Sequence, residues 1–214
     1  MPLKWKQYAM VRQTKKNAEL TRQRIIDAAR QVFVSRGVSR TSMEQIAAEA
    51  GVTRGAVYWH FSNKTELFSA MREQVLLPLI DRMDDSLLIE NNDDPLGQIG
   101  KFLSGTIDAL NESSDTRQTF EIMMVKCEYV EELTAVLEQT LCNCERIAKK
   151  IEQLYERAKT KGQLKTTDSP LILAMDTHLF FSGLIHLWVK DLDRKHYRDQ
   201  AGDLISNHIN LRRK

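Results

Sequence analysis

Cysteine, proline and glycine are all scarce: three, four and nine in 214 residues. Each shortage excludes something. Cys127, Cys142 and Cys144 are odd in number and show no Cys-x-x-Cys or Cys/His ligand spacing. That argues against a disulfide framework and a zinc site, and for reduced thiols in a cytoplasm. With few glycines, prolines or β-branched runs there is little from which to build tight hairpins. Apolar residues instead recur at helical spacing over long stretches, which predicts an all-α chain of about nine helices. No apolar run approaches the roughly 18 residues that a membrane helix needs, and the first residues lack the apolar core of a signal peptide. Paired carboxylates, a nucleophile with its base and a phosphate loop in helical context are also missing. No enzyme activity, metal or cofactor is therefore expected.

What is present is uneven charge. The net charge is only +2, yet residues 1–65 carry twelve Lys/Arg against four Asp/Glu, a net +8, and the rest nineteen against twenty-five, a net −6. A basic head on an acidic body suggests that the head meets a polyanion. A solvated basic helix would give the same count.

Spacing within the head is more telling. A first helix from about Ala18 to Arg36 carries the stripe Ile25, Ile26, Ala29, Val32 and Phe33, with Arg22, Arg24 and Arg30 elsewhere on its surface. Gly37 ends it, as a left-handed cap would. Thr41 opens a second helix, with Glu44 three residues on as a capping box. Two helices crossing through a short turn need a small residue at the contact, a turn residue tolerant of positive φ, and an apolar plug. Ala47, Gly51 and Val57 supply these at spacings of four and six, which fits a helix-turn-helix over about 42–61. Thr53 caps the second helix. A helical hairpin without a DNA role would share this turn. It would not display Arg54, Gly55, Tyr58, Trp59 and His60 on one short helix. Tyr and His bond phosphate oxygens, Arg reads guanine, and Gly55 lets the backbone approach base edges. Asn63-Lys64 then opens a fourth helix, whose free amides and dipole attract phosphate.

The run Val57-Tyr58-Trp59-His60-Phe61-Ser62-Asn63-Lys64-Thr65-Glu66-Leu67 resembles the signature of the TetR regulator family. Thr21-Arg22, Gly37, Thr41 and Gly51 extend the likeness over the whole head. The resemblance implies a third helix in the major groove, with Tyr58, His60 and Lys64 on phosphates and Thr41 and Ser42 touching backbone. Arg22 and the segment Arg12-Gln13-Thr14-Lys15-Lys16 would lie near DNA as a flexible arm. Thr53, Arg54 and Gly55 are the candidates for base contact, beside Trp59 on the same face. The implied domains are a DNA-binding head over 19–79 and a ligand-binding and dimerisation domain over 80–214.

The body reads as long helices. The fourth runs to about Glu90 with Pro78 inside it, where a kink is expected. A linker, Asn91-Asn92-Asp93-Asp94, closes at Pro95, the first residue of the fifth helix. The sixth follows Ser113-Ser114-Asp115, and the seventh covers about Glu131 to Gly162. Ser169-Pro170 caps and starts the eighth, which ends near Val189, and the ninth covers roughly Lys195 to Leu211. Glu121-Ile122-Met123-Met124-Val125-Lys126-Cys127-Glu128, Asp94-Pro95-Leu96-Gly97 and Ser182-Gly183-Leu184-Ile185-His186-Leu187-Trp188 are similar to segments of the AcrR-like multidrug-efflux repressors. Val75 and Leu79, Ile99, Phe102 and Thr106, Phe120 and Met124, and His178, Phe181, Ser182 and Ile185 with His186 beside them line faces of the fourth, fifth, sixth and eighth helices. Met, aromatics and a few polar tips suit a promiscuous apolar pocket, although a plain packed core would have the same pattern. Cys127 reads as a core residue, with an oxidant-sensing thiol as the minor alternative.

The resemblance implies a homodimer paired through the eighth and ninth helices, where Gly183 and Ala174 permit close packing. Its recognition helices would sit about 34–36 Å apart on a palindromic operator. A small apolar or cationic effector would shift the fourth helix and release the DNA. The alternative is a repressor or activator of an unrelated metabolic or stress operon using the same machinery.

Overall fold

A computed structural model describes the backbone of residues 3–87 and 93–214 and the side chains of 15–81 and 93–214. The chain is all-helical. The head comprises α1 (Leu3–Arg36), α2 (Met43–Glu49) and α3 (Arg54–His60); α4 (Lys64–Leu87) leads into the body. The body holds α5 (Pro95–Glu112), α6 (Ser114–Glu121), α7 (Thr134–Thr160), α8 (Pro170–Lys190) and α9 (Ala201–Asn210). Between α6 and α7 lie a π-helical turn, Ile122–Lys126, and a single 3-10 turn, Glu131–Leu133.

Several boundaries depart from the sequence reading. α1 starts at Leu3 rather than near Ala18, because no Gly or Pro interrupts Leu3–Arg36. Lys15 and Lys16 therefore lie on a helix, not on a flexible arm; the side chains of Arg12, Gln13 and Thr14 fall outside the described residues. The expected end of α4 at Glu90 and the Asn91-Asn92 linker fall outside them too. Ser42, not Thr41, caps α2: its hydroxyl accepts from Gln45 N–H, and the Gln45 side chain accepts from Ser42 N–H, so the box closes on Gln45 rather than Glu44. Helix α9 begins late because Asp191 holds the chain in turns. Its carboxylate accepts from the amides of Lys195, His196, Tyr197 and Arg198, which lowers its pKa to about 2.

Two clusters form the core. In the body, α5, α7, α8 and α9 enclose Tyr155 and Trp188. The head packs Ile25, Phe33, Ile46, Val57, Phe61 and Phe68 together, and it is completed by Ile122, Met123, Leu133 and Val136 from beyond α6. Arg30 joins the two as well. Expected on the surface, it is 2% exposed and pairs with Asp27 and, at 3.0 Å, with Asp115 of α6. By length and mean hydropathy α8 could cross a membrane, contrary to expectation, but 44% of its apolar window is packed inside the protein.

Candidate DNA-binding face and effector cavity

Local interactions set the angle between α2 and α3. Gly51 turns the chain at φ 62°, and Arg24 of α1 donates to the Ala50 carbonyl at 2.6 Å. Ala47 and Val57 are buried at the crossing, and the Thr53 hydroxyl accepts from Ala56 N–H at 3.2 Å. This leaves Arg54, Gly55, Tyr58 and Trp59 outward, with Trp59 73% exposed. A Trp so exposed gains nothing from the core. His60 packs edge-on against Trp59 at 4.5 Å. Burial first, and the nearby Arg22 second, hold its pKa below the usual imidazole value. Arg22 itself stacks 5.0 Å from the Phe61 ring centre.

The candidate DNA-binding cations have partners that the sequence did not reveal. Arg54 Nη1 lies 2.9 Å from Glu44 Oε1, and its guanidinium rests over the Tyr58 ring. Lys64 Nζ lies 3.1 Å from Glu132 Oε1, a body residue. Thr41, expected to touch the DNA backbone, is buried and donates to the Gly37 carbonyl at 2.7 Å, whereas Ser42 is exposed. Arg40, exposed in the same loop, was overlooked. At the start of α4, Glu66 N–H is already taken by Asn63 Oδ1 at 2.8 Å, so fewer free amides face a phosphate than expected.

In the body, one apolar cavity of about 150 Å³ lies between α4, α5, α6, α7 and α8. Nine residues singled out from sequence line it: Leu79, Phe102, Thr106, Phe120, Met124, His178, Phe181, Ser182 and Ile185. Three do not. Val75 and Ile99 are packed into the core, Val75 beside a separate crevice, and His186 turns outward to Lys190 at 2.7 Å. The α7 wall, Thr140, Asn143, Cys144 and Ile147, was missed, as were Leu76, Ile80 and Met123. Burial lowers the His178 pKa, so it stands uncharged near neutral pH. Cys127 lies outside the lining, and burial raises its thiol pKa to about 11, which disfavours the reactive thiolate.

A helix-turn-helix head with exposed aromatic and basic residues, joined to a helical body enclosing an apolar cavity, defines a class: one-component DNA-binding regulators. The comparisons narrow it. Residues 25–71 match the family described as bacterial regulatory proteins, tetR family, and residues 94–213 match the C-terminal region of MAATS-type transcriptional repressors. The chain is 36% identical over 180 residues to the regulator TtgR of Pseudomonas putida, covering 84% of this chain and 85% of that one. It is 32% identical over 208 residues to AcrR of Shigella flexneri, covering 94% of each. Among solved structures it is similar to NalD, the secondary repressor of the MexAB-OprM multidrug efflux pump in Pseudomonas aeruginosa. The TM-score is 0.81 and the identity 33%, over 93% of this chain and 98% of that one. A triclosan complex of SmeT, the repressor of the Stenotrophomonas maltophilia multidrug efflux pump SmeDEF, gives a TM-score of 0.79 and 29% identity over 91% and 92%. The chain belongs to the TetR family; it is a transcriptional regulator and not an enzyme.

Proposed function

We propose that this protein is a cytoplasmic homodimeric repressor of a multidrug efflux operon, released from a palindromic operator when a small apolar ligand enters the body cavity. Its relatives NalD and SmeT repress efflux pumps. The observation that carries the reading is the cavity wall. Met123 lines the cavity and is also packed into the head core. Pockets for drug-sized ligands run to roughly 300–1,000 Å³, while this one holds about 150 Å³. A ligand such as the triclosan bound by SmeT must part the walls, and Met123 passes that movement to the head. The polar lining among the described residues is neutral: hydroxyls of Thr106, Thr140 and Ser182, the Asn143 amide and uncharged His178. This favours apolar effectors with hydrogen-bonding groups over cations.

The dimer reading draws on α8. Leu171, Ile172, Met175 and Leu179 are each at least half exposed, and a β-carbon on Gly183 would meet nothing within 4 Å. Such a row is the kind of surface that partners cover. Ala174, expected there, faces the core instead. The test is footprinting on the DNA upstream of its own gene, with and without triclosan and a panel of apolar drugs. Protection that is lost with at least one drug is expected. Absence of any protected site, or protection that no drug disturbs, overturns the reading.

A further inference from the structure

Arg54 is held from within the head, but Lys64 is held by the body. The Lys64 side chain is 14% exposed, with its ammonium 3.1 Å from Glu132 Oε1 and 3.5 Å from the Ser39 carbonyl. The next residue, Thr65, donates its hydroxyl to the Glu132 backbone carbonyl at 3.2 Å, so the first turn of α4 engages Glu132 at both side chain and backbone. Glu131 has φ 48°, a left-handed conformation that a β-carbon disfavours. That conformation forms the turn presenting Glu132, and strained backbone of this kind collects at switch and binding segments. Upstream, the same connection meets the head again: Val38 N–H donates to the Lys126 carbonyl at 3.0 Å. A β-carbon on Gly37 would lie 3.3 Å from that oxygen. Its first turn contains Met123 and Met124, which line the cavity.

We propose that Glu132 is a built-in competitor for DNA: its carboxylate occupies the Lys64 ammonium in place of a backbone phosphate, and the cavity-lining connection that carries it sets how firmly. This rests on the reading of Lys64 as a phosphate contact. Carboxylate and phosphate oxygens both accept charge-assisted hydrogen bonds from an ammonium. A phosphate brought to this ammonium meets Glu132 as like charge against like charge, so the pair must open before the contact forms. When a ligand pushes the cavity wall and its connection toward α4, the carboxylate is pressed onto Lys64 and the phosphate is displaced. DNA bound first draws the connection the other way.

The test is a double-mutant cycle on full-length protein: wild type, Glu132→Gln, Lys64→Ala and the pair. Binding is measured to the footprinted sequence and to an unrelated mixed-sequence duplex at low salt. Phosphate contacts act on both duplexes. Glu132→Gln is expected to tighten binding about two- to fivefold per head, the scale of one partly exposed ion pair. In the Lys64→Ala background it should change nothing, and Glu131→Gln, which removes a neighbouring charge without touching Lys64, should have no comparable effect. Equal tightening by Glu132→Gln with and without Lys64, or tightening matched by Glu131→Gln, overturns the competition and leaves the phosphate contact standing. If Lys64→Ala leaves binding unchanged in both backgrounds, the phosphate reading itself falls, and the competitor with it. Lys64→Gln replaces the alanine variant should the latter not fold.

Discussion

Acidification should unlock the junction of α8 and α9 at one residue. His208 is 8% exposed, stacked on Phe180 with ring centres 3.9 Å apart, and its Nε2 lies 3.1 Å from the Thr177 hydroxyl. That hydroxyl is 2.8 Å from the Tyr155 hydroxyl, and Arg212 joins the group through the His208 carbonyl and Asp176. Burial first, and the Arg212 charge second, lower the His208 pKa from 6.5 to about 4. The unfolded chain therefore takes up a proton below about pH 6.5 that the folded chain refuses until about pH 4. Stability from this group is complete above the unfolded value, falls as pH drops through that window, and is lost below it. At about pH 5 the loss is on the order of 2 kcal/mol. Urea melts of wild type and His208→Gln at neutral and mildly acid pH measure it. The wild type should lose about 2 kcal/mol more than the variant over that interval. Parallel losses in the two proteins would show that His208 ionises in the folded state as it does in the unfolded, and the burial argument would fail.

Three further outcomes are expected. Thr106→Trp places an indole in the cavity that Thr106 lines; it should keep duplex binding and lose the drug response, and a folded variant that still responds to every active drug would refute the cavity. Leu179→Glu charges a residue that is 68% exposed on α8; sedimentation should give a folded monomer, and an unchanged dimer would refute the proposed face. Arg54→Ala should lower affinity for the operator by about 1–3 kcal/mol with little effect on unrelated duplexes, and equal loss on both would make Arg54 a phosphate contact instead.

What the sequence made legible was local. The turn at Gly51, the caps at Thr53 and Ser169 and the plug at Val57 each depend on residues within a few positions, and all were found where expected. The α2 cap was misplaced by one residue because Thr and Ser are both good caps; the choice falls to Ser42 once Thr41 turns inward onto Gly37. Longer-range pairings left no local sign. Arg30 looks like any surface arginine until α6 brings Asp115 beside it, and Glu132 looks like any solvated acid until it meets Lys64. On α7, Thr140, Asn143, Cys144 and Ile147 do share a helical face, at spacings of three, four and seven. Three of the four are polar or thiol-bearing, so the face lacks the apolar stripe that marked the other walls.

The size of the cavity bears directly on how release would work. A space of about 150 Å³ is that of a cavity that holds benzene; a larger effector would have to displace side chains of the lining, which include Phe120, Met123 and Met124. Close-packed interiors respond to such insertion by stepping between arrangements rather than by stretching. Met123 belongs to the same buried cluster as Ile122, Leu133 and Val136, so its displacement would be felt in the head core. A ligand that entered would favour whichever head arrangement leaves room for it, and its leverage would equal the difference in its affinity for the two. A coupling of roughly 1–3 kcal/mol would weaken operator binding 5- to 150-fold, and it must run both ways. Operator duplex added to the drug-bound protein should weaken drug binding by the same factor. Calorimetric titration of drug into free protein and into protein saturated with operator measures that ratio. A ratio of one, beside clear release of DNA by the same drug, would break the thermodynamic cycle and show that the drug acts on something other than this protein.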